Sequence, residues 1–280
     1  MTSIIVFVLY LFFLKGTFVD AIEASLGEVK GLSELVKAED IEMYANMTLL
    51  VGILGSAMIT VPFNCLTTVV RDRENRIDYD ILATPVRRWQ IVLSYFMAAA
   101  LSAVIMTGII LTVGLLILNG QGNMHMGADA VFMAYATVVM GSVSATALFM
   151  IVVLFFKSSS ASGAFFGMLS AAGGFVIGAY IPISQFSAEV QTFCNIFPAS
   201  QVTIILRNVL LNGTLDSINT SIGGLDNGMF VETIKDLFSF KAYMFGRSLN
   251  VNEMALYVLV VILICVVSMV FAYSKNYKKQ

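Results

Sequence analysis

The 280-residue chain is too apolar and carries too little charge for a soluble protein. Apolar residues make up 58 % of the sequence and charged residues 12 %, which is about half the charged share of a soluble domain. This composition excludes a soluble enzyme and a disordered tail, and the net charge of −2 gives no basic face for nucleic acid. It indicates an integral membrane protein.

Long apolar runs predict where the chain crosses the bilayer, because a spanning helix needs about 20 largely apolar residues. Six segments qualify: 1–19, 44–70, 91–118, 130–156, 162–184 and 255–274. Continuous runs suit helices rather than the alternating strands of a membrane barrel. The first run has no positive leader and no small-residue cleavage site, so we predict a retained helix. The prediction is an all-α integral membrane protein with one transmembrane domain, 1–280.

Lysine and arginine predict the orientation of the chain. Six spans put nine basic residues on one side, from the loop 71–90, from Lys157 and from the tail after 274. Basic residues concentrate on the cytoplasmic side of a membrane. We therefore predict a multi-pass protein of the cell membrane with both termini in the cytoplasm.

Segment 190–211 is apolar enough to suggest a seventh span, but it contains Pro198 and Arg207. An arginine at the bilayer centre costs about 2.5–3.5 kcal/mol, and a seventh span would move the basic tail to the outside. We therefore predict a re-entrant or interfacial helical hairpin inside a large outer region, 185–252. The middle of that region, 212–228, is rich in Asn, Gly, Ser and Thr and predicts a loop.

The cytoplasmic loop 71–90 combines charge with a short apolar helix. Ile77 and Ile81 are four residues apart and would share one helix face. Thr84 is a suitable helix cap and Pro85 a suitable first helical residue, which predicts that the next helix begins there. A helix on the lipid surface and a helix docked on a partner protein both fit this pattern.

Small residues recur along the predicted span 162–184. They are Gly163, Gly167, Ala171, Gly174 and Gly178. Such residues let two helices approach closely, so we predict close packing within the subunit, with a seam between two subunits as the alternative. In span 44–70, Asn64 lies near Pro62, and we predict a kinked helix there, with a substrate contact as the alternative.

The sequence lacks the motifs and residues that would let this chain bind ATP or use a proton or ion gradient. No phosphate-binding G-x-x-x-x-G-K-[ST] loop is present, so this chain is not expected to be an enzyme and ATP would bind to another chain. No ionisable residue lies in the middle of a predicted span, which argues against proton or ion coupling and against membrane catalysis. The three scattered cysteines and the single histidine predict no metal or cofactor site.

The order of these features resembles the permease subunits of ABC-2 type transporters. The strongest match runs from Arg73-Glu74 through Ile81-Leu82-Ala83-Thr84-Pro85-Val86, before the third span. A second match is Asn195-Ile196-Phe197-Pro198 followed by Arg207, between the fifth and sixth spans. Two features depart from the family: Arg76 stands where a glycine is usual, and the chain starts directly in a span rather than in a cytoplasmic helix.

The resemblance implies a type V exporter-like architecture in which two permease copies, identical or different, lie in membrane lipid and dock on ABC ATPase subunits. ATP and magnesium would bind in those ATPases. The loop 71–90 would contain the coupling helix, and the re-entrant segment would contain Phe197, Pro198 and Arg207. The residues implied at the ATPase contact are Arg71, Arg73, Glu74, Arg76, Ile77, Ile81 and Leu82.

The implied function is export of a lipophilic or amphipathic substrate by alternating access, driven by the separate ATPase. The alternative is a membrane scaffold or sensor subunit whose cytoplasmic loop docks a partner that is not an ATPase.

Overall fold

The computed structural model describes residues 38–77, 80, 85–122, 124–223 and 228–276. The elements in this part are α1 (Ala38–Glu74), α2 (Arg88–Gln121), α3 (Ala128–Val153), α4 (Ser159–Val176), a 3₁₀ helix (Ile183–Gln185), α5 (Ala188–Ile196), α6 (Pro198–Ile222), α7 (Met229–Leu237), β1 (Ala242–Met244), β2 (Arg247–Leu249) and α8 (Val251–Asn276). The predicted first span, 1–19, lies outside the described residues.

Four helices of the described part are long and apolar enough to cross a membrane: α1, α2, α3 and α8. They cover the predicted spans 44–70, 91–118 and 255–274, and α3 covers the predicted span 130–156 except its last three residues. The pair α5 and α6, which bends by 96° at the break between the two helices, meets the same test when taken together. The chain is thus a helical, multi-pass membrane protein with a small antiparallel β-hairpin.

The predicted span 162–184 is shorter in the structure. Helix α4 has 18 residues and ends at Val176, and it is not one of the four helices above. The chain turns at Gly178, whose φ of 68° is the left-handed conformation that glycine adopts easily, and Pro182 then precedes the 3₁₀ helix. The sequence pattern missed this stop because the residues around it are small and apolar.

Helix α1 lies at the centre of the bundle and packs against α2, α3, α4 and α6. Two core clusters form along it. One cluster joins Val70, Ile91 and Met269, and it defines what we call the basic end, because the basic loop 71–90 begins there. The other cluster includes Tyr44, and it defines the hairpin end, near the β-hairpin.

The predicted loop 212–228 is wrong over most of its length. Helix α6 continues to Ile222 and stops where Gly223 takes a φ of 67°. Asn, Gly, Ser and Thr are poor helix formers, but Leu215, Ile218 and Ile222 recur at helical spacing and are all buried in the core. Tertiary packing of that apolar face therefore overrides the local preference.

The small residues of α4 divide into two groups. Gly163, Gly167 and Ala171 are exposed, and a Cβ atom added at either glycine would meet nothing within 4 Å. Gly174 and Gly178 are buried, and a Cβ at Gly174 would collide with the Tyr180 ring. Within the described part of the chain, the first three residues are therefore not packed closely against another helix, and their predicted packing role stays a prediction.

Candidate functional site

The last turn of α1 holds the connection between α3 and α4. Arg73 donates from Nη1 to the carbonyl oxygens of Leu154 (2.8 Å) and Phe156 (2.9 Å). The neighbouring Glu74 accepts from the backbone N–H of Ser159 (3.0 Å), at the beginning of α4. A carboxylate at a helix N-terminus is stabilised by the helix dipole. The structure thus gives both side chains a role within this chain.

Hydrogen bonds from the side chain and the backbone of Ser159 lower the pKa of the Glu74 carboxyl below its ordinary value. Glu74 is exposed and follows the apolar stretch 44–70 of α1, so it lies on the polar part of the helix. A third contact on the same turn joins α1 to α2, because the Tyr95 hydroxyl donates to Asp72 (2.6 Å). This turn therefore contacts α2 and the beginning of α4 at the same time.

The predicted coupling segment begins where α1 ends. Arg71, Arg76 and Ile77 are exposed, and 43 % of the Ile77 surface is accessible. Arg76 has a φ of 59°, a left-handed conformation that glycine adopts more easily than arginine. This conformation gives a physical reason for the glycine that the family usually has there. Ile81 and Leu82 lie outside the described residues.

The prediction that the next helix begins at Pro85 is wrong by three residues. Helix α2 begins at Arg88, after Arg87 in an extended conformation. The Gln90 side chain accepts a hydrogen bond from the Arg87 backbone N–H (3.0 Å). This bond satisfies a donor at the helix start and fixes the boundary there.

A polar stripe, which we call the α1 stripe, runs along the central helix and is partly exposed within the described part of the chain. It consists of Ser56, Thr60, Asn64 and Thr68, at four-residue intervals that keep them on one face. Asn64 and Thr68 are exposed, whereas Ser56 and Thr60 are half-buried. The helix runs through Pro62 without a break, so the proline does not isolate Asn64 from the rest of the stripe.

The polar groups of the stripe differ in how well they are satisfied. Thr60 donates to the carbonyl of Ser56 (2.9 Å) and Thr67 to that of Asn64 (2.6 Å). The Asn64 side chain makes no hydrogen bond to any residue that the structure describes. An unsatisfied amide is costly in hydrocarbon, so this face is suited to water, a substrate or another protein surface rather than to lipid.

Arg207 is a buried cation at the hairpin end. Only 3 % of its surface is accessible, and Nη1 donates to the carbonyls of Phe238 (2.5 Å) and Ser239 (3.0 Å). Nη2 reaches the Gly178 carbonyl at 3.4 Å. No carboxylate pairs with Arg207 within the described ranges. Arg207 therefore connects α6 to the segments that follow α4 and α7.

Phe197 and Pro198 lie at the corner between α5 and α6. Phe197 is extended and Pro198 takes the first position of α6, where its missing N–H costs no helical hydrogen bond. Asn195 stabilises the corner, because its side-chain oxygen accepts from Ser200 (2.8 Å) and its carbonyl accepts from Gln201 (2.7 Å). The corner thus separates two helices with different directions.

Sequence reasoning missed a polar cluster at the hairpin end. Asp40 is 1 % exposed, and its carboxylate contacts His125 Nε2 (3.2 Å) and accepts from the Ser217 hydroxyl (3.2 Å). A Cβ at Gly213 would lie 1.8 Å from the His125 carbonyl oxygen, so the connection between α2 and α3 rests directly on α6. The sequence contains no signal for a contact between residues so far apart in the chain.

The fold assigns the chain to the class of multi-pass helical membrane proteins, here with a polar stripe on the central helix. The family described as ABC-2 family transporter protein matches residues 31–274. The chain therefore belongs to the ABC-2 transporter family and is a membrane permease of ABC-2 type, which confirms the resemblance seen in its motifs. Neither the curated proteins nor the solved structures give a match to this chain.

Proposed function

We propose that this permease exports a lipophilic or amphipathic substrate, and that a separate ABC ATPase subunit binds ATP and magnesium and drives the transport. The observation that carries the proposal is the α1 stripe: a row of uncharged polar groups that is partly exposed, within the described residues, along the mainly apolar stretch 44–70 of the central helix. Such a surface contacts the polar part of an amphipathic molecule without requiring a charge on it.

The proposed path lies between two permease copies. A second copy facing the stripe would enclose it and keep it out of lipid, where the Asn64 amide is unfavourable. The exposed small residues of α4, Gly163, Gly167 and Ala171, offer a face on which another helix can approach closely. Together these features support a dimer with the transport path at its centre.

Coupling to the ATPase is proposed at the basic end, which the distribution of lysine and arginine assigns to the cytoplasm. The exposed Ile77 follows the end of α1 by three residues, after the turn that holds Asp72, Arg73 and Glu74. An ATPase that moves the segment after Glu74 would therefore displace the end of α1, and with it the α1 stripe. The absence of a phosphate-binding loop from the sequence supports assigning hydrolysis to the partner.

The stripe is tested with the variant Asn64→Leu, Thr68→Val, which makes its exposed half apolar. We expect ATP-driven export of amphipathic fluorescent compounds by the assembled complex to fall at least several-fold, because the polar contact to the substrate is lost. Yield and ATPase binding should stay normal, since neither side chain packs in the core. The measurement is uptake into inverted vesicles.

The control is Ser102→Ala on α2, which removes an exposed hydroxyl from a helix outside the stripe. This control should transport normally. If the stripe variant exports every compound that the native complex exports, at the native rate, the stripe does not line the path.

A further inference from the structure

An exposed apolar patch lies at the hairpin end, outside the proposed path. It consists of Val190, Phe193 and Ile196 on α5, together with Phe245 at the tip of the β-hairpin. The three α5 residues recur every three positions and so share one helix face. Phe245 is 77 % exposed, the highest value among the large apolar residues of the described part. We call these four residues the interfacial patch.

The patch is held in a fixed shape. The Phe245 backbone N–H donates to the Thr192 hydroxyl (3.2 Å), and the Asn195 side chain donates to the Tyr243 carbonyl (2.9 Å). The rings of Phe193 and Phe197 meet edge to face, with centroids 5.5 Å apart. The hairpin tip is thereby fastened to α5, so the patch is one surface built from two elements.

The backbone at the tip is unfavourable for phenylalanine. Phe245 has a φ of 51° and Gly246 a φ of 79°, as in the tight turns that usually carry Asn-Gly. A bulky side chain in the left-handed region is strained. Phe245 is exposed, so burial in the core of its own chain does not offset this strain. Contact of the ring with an apolar surface outside the chain would offset it.

The position of the patch next to a membrane span identifies lipid as that outside surface. The Tyr257 hydroxyl, in the first turns of α8, donates to the Ile196 carbonyl (2.8 Å). Helix α8 then exposes Leu256, Leu259 and Leu263, an apolar face typical of contact with lipid. The patch is therefore continuous with the surface of a membrane span, at the level where that span begins.

Charged residues lie close to the hairpin tip along the chain. Arg247 follows the tip and pairs with Glu253 at the beginning of α8, and Lys241 is exposed at the base of the hairpin. An apolar face that carries phenylalanine, with lysine or arginine nearby, is characteristic of elements that lie at the boundary between lipid headgroups and acyl chains. We propose that the interfacial patch inserts into this boundary and anchors the β-hairpin and α5 to the membrane surface. This inference does not depend on the transported substrate.

Tryptophan fluorescence tests the proposal, because Trp89 is the single tryptophan of the chain. The reporters are F245W and, separately, F193W, each in a Trp89→Phe chain reconstituted into phosphatidylcholine vesicles. We expect blue-shifted emission that is quenched by lipids brominated near the headgroup and is insensitive to iodide in the water. Leu263→Trp on α8 is the reference for deep burial and should respond more to bromine near the acyl-chain ends.

Three outcomes would overturn the proposal. Quenching of F245W by iodide but not by brominated lipid would place the tip in water. Blue-shifted emission that neither quencher reaches would place it against protein, such as a second copy. Quenching of F245W and Leu263→Trp at the same depth would place the tip within the bilayer interior rather than at its surface.

Discussion

Arg207→Met should reduce the folding stability of the permease by about 3 kcal/mol, because it leaves buried carbonyl oxygens without a donor. Each unsatisfied buried group costs about 1–3 kcal/mol, and the carbonyls of Phe238 and Ser239 both lose their bond to Nη1. A change of this size lowers the melting temperature of the purified protein by roughly 10 °C. Methionine preserves much of the side-chain length, so lost packing contributes little.

The matched control for this prediction is Arg247→Met. Arg247 is 71 % exposed and pairs with Glu253 on the surface, where such pairs contribute about 0–1 kcal/mol. Its melting temperature should stay close to the native value. Equal melting temperatures for Arg207→Met and the native protein would show that Arg207 does not connect the three segments in the membrane-embedded state.

The double variant Ile77→Asp, Ile81→Asp should release the ATPase from the permease while the membrane domain stays folded. Apolar side chains one helical turn apart suit a groove on a partner, and the Ile77 side chain is 43 % exposed in the isolated chain. Truncating a central contact residue costs about 2 kcal/mol or more, which is roughly 30-fold in affinity. ATPase binding to the detergent-purified permease measures the effect.

Val86→Asp is the matched control, because Val86 is also exposed and lies after the proposed docking helix. We expect it to retain the ATPase. If the double variant binds the ATPase as tightly as the control and the complex still transports, the segment is a lipid-surface helix and the coupling role belongs to another part of the chain.

The long spans were predictable because hydrocarbon imposes a minimum length of apolar helix, and α1, α2, α3 and α8 satisfy it by composition alone. The end of α4 was not predictable, because a glycine turn inside an apolar run leaves the mean hydropathy of the run unchanged. The continuation of α6 to Ile222 was not, because packing against other helices outweighs the local helix propensity.

The candidate site was predictable only in part. Loop composition pointed to Ile77, and the resemblance pointed to Arg207, but neither indicated that Arg73 and Glu74 bind the connection between α3 and α4. Those partners are far apart in sequence and become neighbours only in the folded bundle. The α1 stripe was not predicted, because its residues are small and uncharged and give no strong sequence signal. They form a recognisable surface only when other helices pack on the remaining faces of α1.

Thiol accessibility along α1 tests the central claim, that the stripe lines a path whose access depends on ATP. Asn64→Cys is introduced into a chain whose three cysteines, Cys65, Cys194 and Cys265, are replaced by alanine, and Leu101→Cys on the exposed apolar face of α2 is the control. A membrane-impermeant maleimide should label Asn64→Cys in the assembled complex from one side. Trapping ATP on the partner should slow that labelling several-fold, while Leu101→Cys stays unlabelled throughout. The account would be contradicted if the labelling rate of Asn64→Cys did not depend on the nucleotide, or if Leu101→Cys were labelled at the same rate.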